Sequence, residues 1–313
     1  MALAAPKTVG AAKTGAVMVT RINMLTVLLV LGLLGAGAVA TDQKPMPPWD
    51  GKESIADYAK RVGLEPMLTL DLGGGVKLEL VLIPAGKFMM GSPENEKYRQ
   101  ANEGPQHEVT ISKAFYMAKN LVTQEQYQKV MGVNPSNFRG AQNPVEVVGW
   151  EDAQGFGKKL SATPGKTVRL PTEAEWEYAC RAGSTTAFSF GDDDKDLGDY
   201  AWYGSKPDVK GCPPGNSNST SHPVGQKKPN SWGVYDMHSN VWEWCQDWYG
   251  KYLPDAATDP QGPAQGTERT VRGGSWYGNS GNCRSAYRLR YAPTRRGGNV
   301  GFRVVVEAGA TGK

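Results

Sequence analysis

Cysteine is scarce: the 313 residues hold four, Cys180, Cys212, Cys245 and Cys283, and no two stand in a Cys-x-x-Cys spacing. That excludes a zinc ribbon and a thioredoxin-type redox pair. Histidine is scarcer still, with His107, His222 and His238 far apart, so no His-based metal site is encoded locally. Charge of one sign is lacking too. Thirty-five Lys and Arg face thirty-one Asp and Glu, a net charge of +4 spread without blocks, which argues against nucleic acid and against a membrane surface as partner. Beyond residue 40 there is no long apolar run.

The one such run, Leu25–Ala40, is shorter than the roughly 20 residues a spanning helix needs. It follows Lys7, Lys13 and Arg21 and ends Ala-Val-Ala, a small-x-small cleavage pattern. Residues 1–40 therefore read as a secretory signal cut before Thr41, with Met18 or Met24 as alternative starts and an uncleaved signal anchor as the other reading. No cysteine follows the run at once, so a lipid anchor is not indicated. The expected address is secreted, periplasmic or cell-surface, where the four cysteines can pair in any of three ways.

Residues 41–77, polar and carrying Pro45, Pro47 and Pro48, read as a linker with one weak helical piece at 54–62. Residues 78–308 form the domain and 309–313 a tail. The runs LELVLIPAGKFMMGS and HEVTISKAFYMA predict strands. Three helices have legible starts: Thr123 with Gln126 before QEQYQKVM, Glu151 and Asp152 in WEDAQGFGKKL, and Thr172 with Glu175 before EAEWEYACR. Glu173, Glu175 and Glu177 are read as capping acids, and Asp192–Asp194 as a solvated acidic loop. Four tryptophans, Trp232, Trp242, Trp244 and Trp248, imply burial, and the acids Asp236 and Glu243 among them demand a cation or an arginine.

Taken together, RLPTEAEWEYACRAG, GVYDMHSNVWEWCQDWY, RGGSW, NCRSAYR and GFRVV resemble the formylglycine-generating enzyme and sulfatase-modifying factor family over about residues 78–306. The resemblance implies an α+β, loop-rich fold with a C-type-lectin-like core and little regular secondary structure. Catalytic members oxidise a substrate cysteine to formylglycine with oxygen and a copper(I) ion on two cysteines five positions apart. Those positions fall on Gly278 and Cys283, so one thiolate is missing and copper is not expected. Ser275 and Trp242 match residues lining the oxygen pocket. A calcium site carries over as Asp236, Ser239, Val241 and Glu243, with a salt bridge of the two acids to Arg272 or Arg284 as the competing arrangement.

The segment 275–300 is then expected to be a presented surface for a protein or glycan ligand. Trp276, Tyr277, Asn279, Asn282, Tyr287, Arg288, Tyr291 and Arg295 are its contact candidates, rich in rigid aromatics and planar hydrogen-bonding groups. Some relatives with this ending are variable proteins of diversity-generating retroelements, rewritten between GGSW and GFR. The alternative is a formylglycine-generating oxidase working with Cys283 alone. Oligomeric state is not readable.

Overall fold

The structure is a computed structural model that describes residues 46–162, 166–205 and 211–309. The proposed signal segment, residues 41–45 of the linker and residues 310–313 of the tail lie outside the described residues. Among the described residues no helix is long and apolar enough to cross a membrane.

A five-stranded sheet lies at the centre. Its strands are β1 (Met67–Gly73), β2 (Val76–Ile83), β5 (Phe115–Ala118), β12 (Val305–Glu307) and β6 (Val168–Arg169), in that spatial order and antiparallel throughout. Both faces are covered, and that is why the β2, β5 and terminal strands read as unbroken apolar runs rather than alternating ones. Leu80, Leu82, Tyr116 and Val306 point into one core. Ile83, Phe115, Met117 and Val305 point into the other.

Helices α2 (Gln124–Met131) and α3 (Trp150–Leu160) close the first core, where Tyr127 stacks on Phe156 and Phe302 meets both rings edge-on. Helix α4 (Glu173–Arg181) fills the second with Trp176 and Tyr178. The boundaries match the sequence signals: Thr123 and Gln126, then Thr172 and Glu175, form reciprocal capping boxes. A second sheet, in the order β10 (Arg288–Tyr291), β9 (Arg269–Arg272), β7 (Trp242–Trp248), β11 (Val300–Gly301), carries the C-terminal segment. A third joins β3 (Gly86–Met90), β4 (His107–Ile111) and β8 (Ala257–Thr258). With α5 (Leu197–Tyr200) these are few helices and short, curled sheets linked by long loops, the α+β class expected.

The described part of the proposed linker is structured instead. Helix α1 (Ile55–Val62), capped by Ser54, buries Tyr58 and Ala59, and β1 adds a whole strand to the central sheet. Trp49 sets its ring edge against Trp232, with centroids 5.3 Å apart. Its prolines and polar residues made this stretch look unstructured; a few large apolar side chains at helical and strand spacing outweigh them.

Candidate functional site

The C-terminal segment is pinned by four arginines, of which the sequence had suggested Arg272 and Arg284 as partners of buried acids and Arg288 as a surface contact. Arg272, Arg284, Arg288 and Arg303 are all buried, each against a glutamate from a distant part of the chain. Arg284 grips Glu103 with two hydrogen bonds of 2.8 and 2.6 Å. Arg288 does the same with Glu173 at 2.7 and 2.6 Å, its guanidinium 3.9 Å from the Tyr252 ring centre. Arg272 pairs with Glu177 and donates to the carbonyls of Ala286, Tyr287 and Ser285. Burial alone would raise the Glu177 carboxyl, but Arg181 and Arg272 beside it hold it below the usual range. Only Glu175 of the three helix acids is a cap; Glu173 and Glu177 are ion-pair anchors. Asp194 likewise is buried rather than solvated, accepting from Ser280 and Lys97.

This burial revises the expected contact surface. Arg288 and Asn279 are buried and do not face solvent. Tyr277 is 56% exposed, and Arg295 is exposed with its guanidinium 4.2 Å from the ring centre of half-buried Tyr291. Trp276 is half-buried: its Nε1 donates to the Gly298 carbonyl at 2.9 Å and its ring meets Phe138 and Tyr277 edge-on. Asn282 and Tyr287 are also half-buried, the latter tilted against Trp242. The aromatic ledge that reaches solvent is thus Trp276, Tyr277 and Tyr291, flanked by Arg295.

The residues matching the oxidase pocket are interior. Cys283 is fully buried, its Sγ donating to the Asn279 carbonyl at 3.3 Å. Burial pushes its thiol up to about 12, so it is protonated at neutral pH. A Cβ added at Gly278 would stand 3.0 Å from Asn282 Oδ1, so a second thiol there would require that side chain to shift by a few tenths of an ångström. Ser275 is buried with an Oγ that makes no hydrogen bond, and Trp242 packs in the first core. All four cysteines are free thiols. Cys180 lies 3.6 Å from Ser285 Oγ and 3.9 Å from His238 Nδ1, yet burial moves the thiol up to about 12 and the imidazole down to about 4. Both groups are neutral near pH 7, which leaves no activated nucleophile there.

At the expected calcium position, Asp236 is buried, and desolvation holds its carboxyl up at about 6. Its Oδ2 accepts the Gly225 amide at 2.8 Å, whereas Oδ1 makes no hydrogen bond, nor does the buried Ser239 Oγ. Asp236, Ser239 and Asn240 all hold positive φ, a backbone arrangement that costs energy in non-glycine residues. Glu243 pairs with Arg303 at 2.6 and 2.9 Å, where the sequence had suggested Arg272 or Arg284 as the competing partner. Among the described residues no three His, Cys, Asp or Glu side chains converge as a metal site. One unsatisfied buried carboxylate oxygen in a twisted loop is what a hard cation taking mostly carbonyl oxygens would use. Asp236 Oδ1 is open to such an ion, while both Glu243 oxygens are occupied by Arg303 and one would have to be released to join it.

Comparison with known proteins accounts for this assembly of paired acids, arginines and glycine-bounded strands. The model of the sulfatase-modifying factor enzyme 1-like domain matches residues 76–308. The formylglycine-generating enzyme of Streptomyces coelicolor is 30% identical over 291 residues, covering 74% of this chain and 90% of the relative. Two solved structures resemble the fold over nearly their whole length. Treponema denticola variable protein 1 has a TM-score of 0.67 at 32% identity, covering 77% of this chain and 99% of that one. PvdO from Pseudomonas aeruginosa has a TM-score of 0.66 at 30% identity, covering 78% and 99%. With the family's motifs falling on the strands and pins just described, the chain belongs to the sulfatase-modifying factor enzyme 1-like family.

Proposed function

We propose that this protein is an exported, non-catalytic member of its family that binds a protein or glycan through the surface of segment 275–300. The observation that carries this reading is the buried, protonated Cys283 thiol with a glycine, Gly278, where the second thiol of the pair would stand. Copper(I) chemistry needs soft thiolates, and the matching positions provide one thiol in an unreactive form. What reaches solvent is a rigid aromatic ledge with a flanking guanidinium, the composition of binding hot spots. The likeness to a variable protein supports the same use and adds that the exposed positions can differ between close relatives. An adenine-rich near-copy of this segment beside a reverse-transcriptase gene would establish such rewriting; its absence would remove that part.

The test has two arms. Incubation with a Cys-x-Pro-x-Arg peptide, copper and a reductant is expected to leave the peptide mass unchanged. A formylglycine product that disappears with Cys283→Ala would overturn the proposal in favour of the oxidase. In the second arm the protein is screened on immobilised glycans and candidate proteins, and Tyr277→Ala with Arg295→Glu should abolish whatever binding is found. Binding that ignores both substitutions would place the contact surface elsewhere.

Calcium is the cofactor of this reading, held by Asp236 with the carbonyls of Ser239 and Val241 and a share of Glu243. An ion that binds only the folded state at 100 times its dissociation constant stabilises by about 2.7 kcal/mol. Thermal unfolding should therefore shift upward with calcium, return on chelation, and lose the shift in Asp236→Asn. A melting temperature indifferent to calcium in the native protein would refute the site.

A further inference from the structure

A cavity of about 480 Å³ lies between the start of α4, the end of β7 and the loop that follows it, touching segment 275–300 only at Arg288. Its walls are mostly apolar, including Met90, Ala174, Trp248 and Pro263, and its rim carries exposed Lys251, Leu253 and Asp255. Most of the charge lining it is already satisfied. Glu173 is bound by Arg288, by the Tyr252 hydroxyl and by Thr270. Arg288 spends its remaining donors on the carbonyls of Asn102 and Gly250. His107 stands at the wall with Nδ1 on the Pro105 carbonyl and its ring against Tyr252.

Asp247 is different. It is 4% exposed and lines the cavity, its Oδ2 accepts the Glu173 amide at 2.8 Å, and its Oδ1 has no hydrogen-bond partner among the described residues. Burial first, and then the negative charges of Glu173 and Glu175 on α4, push its carboxyl up to about 8, against a weaker pull from Arg288 on β10. The other cations near it are committed: Arg169 is paired with Glu175, and Arg269 lies between the rings of Trp150 and Trp248. Lys251 and Asp255 sit at the exposed rim and Tyr252 is tied to Glu173. The cavity therefore holds, at a fixed point inside apolar walls, a carboxyl that burial keeps largely protonated near pH 7 while the cavity is empty and that an entering cation would draw back to the carboxylate.

We infer that this cavity binds a primary ammonium group carried on an apolar chain, with Asp247 as its counter-ion and Trp248 as a wall for the chain. An ammonium supplies both the hydrogen bonds and the positive charge that Oδ1 lacks, and the chain replaces water against the apolar lining. An anion would hold the carboxyl in its protonated form and gain no charge pairing, and a neutral alcohol could not draw it into the carboxylate. The ammonium can belong to a free amine or to a lysine side chain of a partner.

The probes are n-hexylamine, hexan-1-ol as its neutral counterpart, and Nα-acetyl-lysine methylamide, titrated into the native protein by calorimetry. Hexylamine is expected to bind at least about tenfold tighter than hexanol, a preference that Asp247→Asn erases. That substitution keeps an oxygen for the Glu173 amide, so the fold is retained, and unchanged circular dichroism confirms it. Affinity should fall as pH drops, by about 100-fold two units below the carboxyl's value, since only the carboxylate pairs with the cation. Binding by the lysine derivative assigns the source to a partner's side chain, and binding by hexylamine alone assigns it to a free amine. Equal affinity for amine and alcohol, no binding of the amine, or a preference that survives Asp247→Asn would overturn the inference.

Discussion

Arg272→Ala is expected to lower the unfolding free energy by about 3–5 kcal/mol, because it strands a buried carboxylate and three carbonyls at once. Glu177, fully buried, would keep only Arg181 and the Gly91 amide, and the carbonyls of Ser285, Ala286 and Tyr287 would lose their donor. For a domain of this size that is a fall in melting temperature of roughly 6–20 °C. The pH dependence should change with it. In the native protein the Glu177 carboxyl lies below its unfolded value, so its contribution is present above about pH 4.3 and is lost on acidification. In the variant burial dominates and raises that carboxyl, so the folded state binds the extra proton and stability is lost as pH rises instead. Adding Glu177→Gln to Arg272→Met removes the unpaired carboxylate but takes from buried Arg181 its own partner, so it should recover only a small part of the loss. Melting curves of the single and double variants at pH 4 and pH 7 decide it; equal losses at both pH values would show that the pair is not the anchor described here.

The second large effect is expected at Gly301. A Cβ there would stand 2.3 Å from the Val145 carbonyl oxygen and 3.0 Å from Val241 Cγ2. The first contact is backbone, so no rotamer relieves it, and β11 would have to separate from β7 or from the strap that contains Val145. Gly301→Ala should therefore cost about 3 kcal/mol or more, read as a melting temperature lower by roughly 6–12 °C and a shifted denaturation midpoint. A variant as stable as the native protein would mean that the strap is free to retreat.

How legible these features were in the sequence varies with how local their causes are. The three capped helices could be placed because Thr123, Thr172 and their partners lie within one turn of each other. The doubly covered strands were legible for the same reason: a run such as Leu78–Ile83 has too little polar alternation to face water. The helical piece at 54–62 was legible as α1, but its docking and strand β1 were missed because prolines and polar residues dominate residues 41–77, while the burial that holds Tyr58 is supplied by residues far along the chain. The buried glutamates were missed for a related reason. Helix-start chemistry explains Glu175 fully, and nothing near Glu173 or Glu177 in the sequence names Arg288 or Arg272 as a partner. At the site, Gly278 was informative at once, because one position decides the thiol pair. The burial of Asn279 and Arg288 was not, since an Asn- and Arg-rich segment looks the same whether its polar groups face water or satisfy each other.

The arginine pins also carry a consequence for how the chain is made. Their carboxylate partners lie earlier in the chain by 60 residues for Arg303 and Glu243, 95 for Arg272 and Glu177, 115 for Arg288 and Glu173, and 181 for Arg284 and Glu103. Strand β12, among the last residues to be synthesised, sits between β5 and β6 inside the central sheet. A ribosome extruding this chain therefore releases Glu96, Glu103, Glu173 and Glu243 before the guanidiniums that pair with them exist, and Glu177 with only Arg181 at hand. Folding the chain only as far as Glu243 would bury these four carboxyls without their arginines. The polypeptide should remain protease-sensitive until the four arginines and β12 have been made, and then fold in a single late step whose rate is set by long-range closure rather than by its helices.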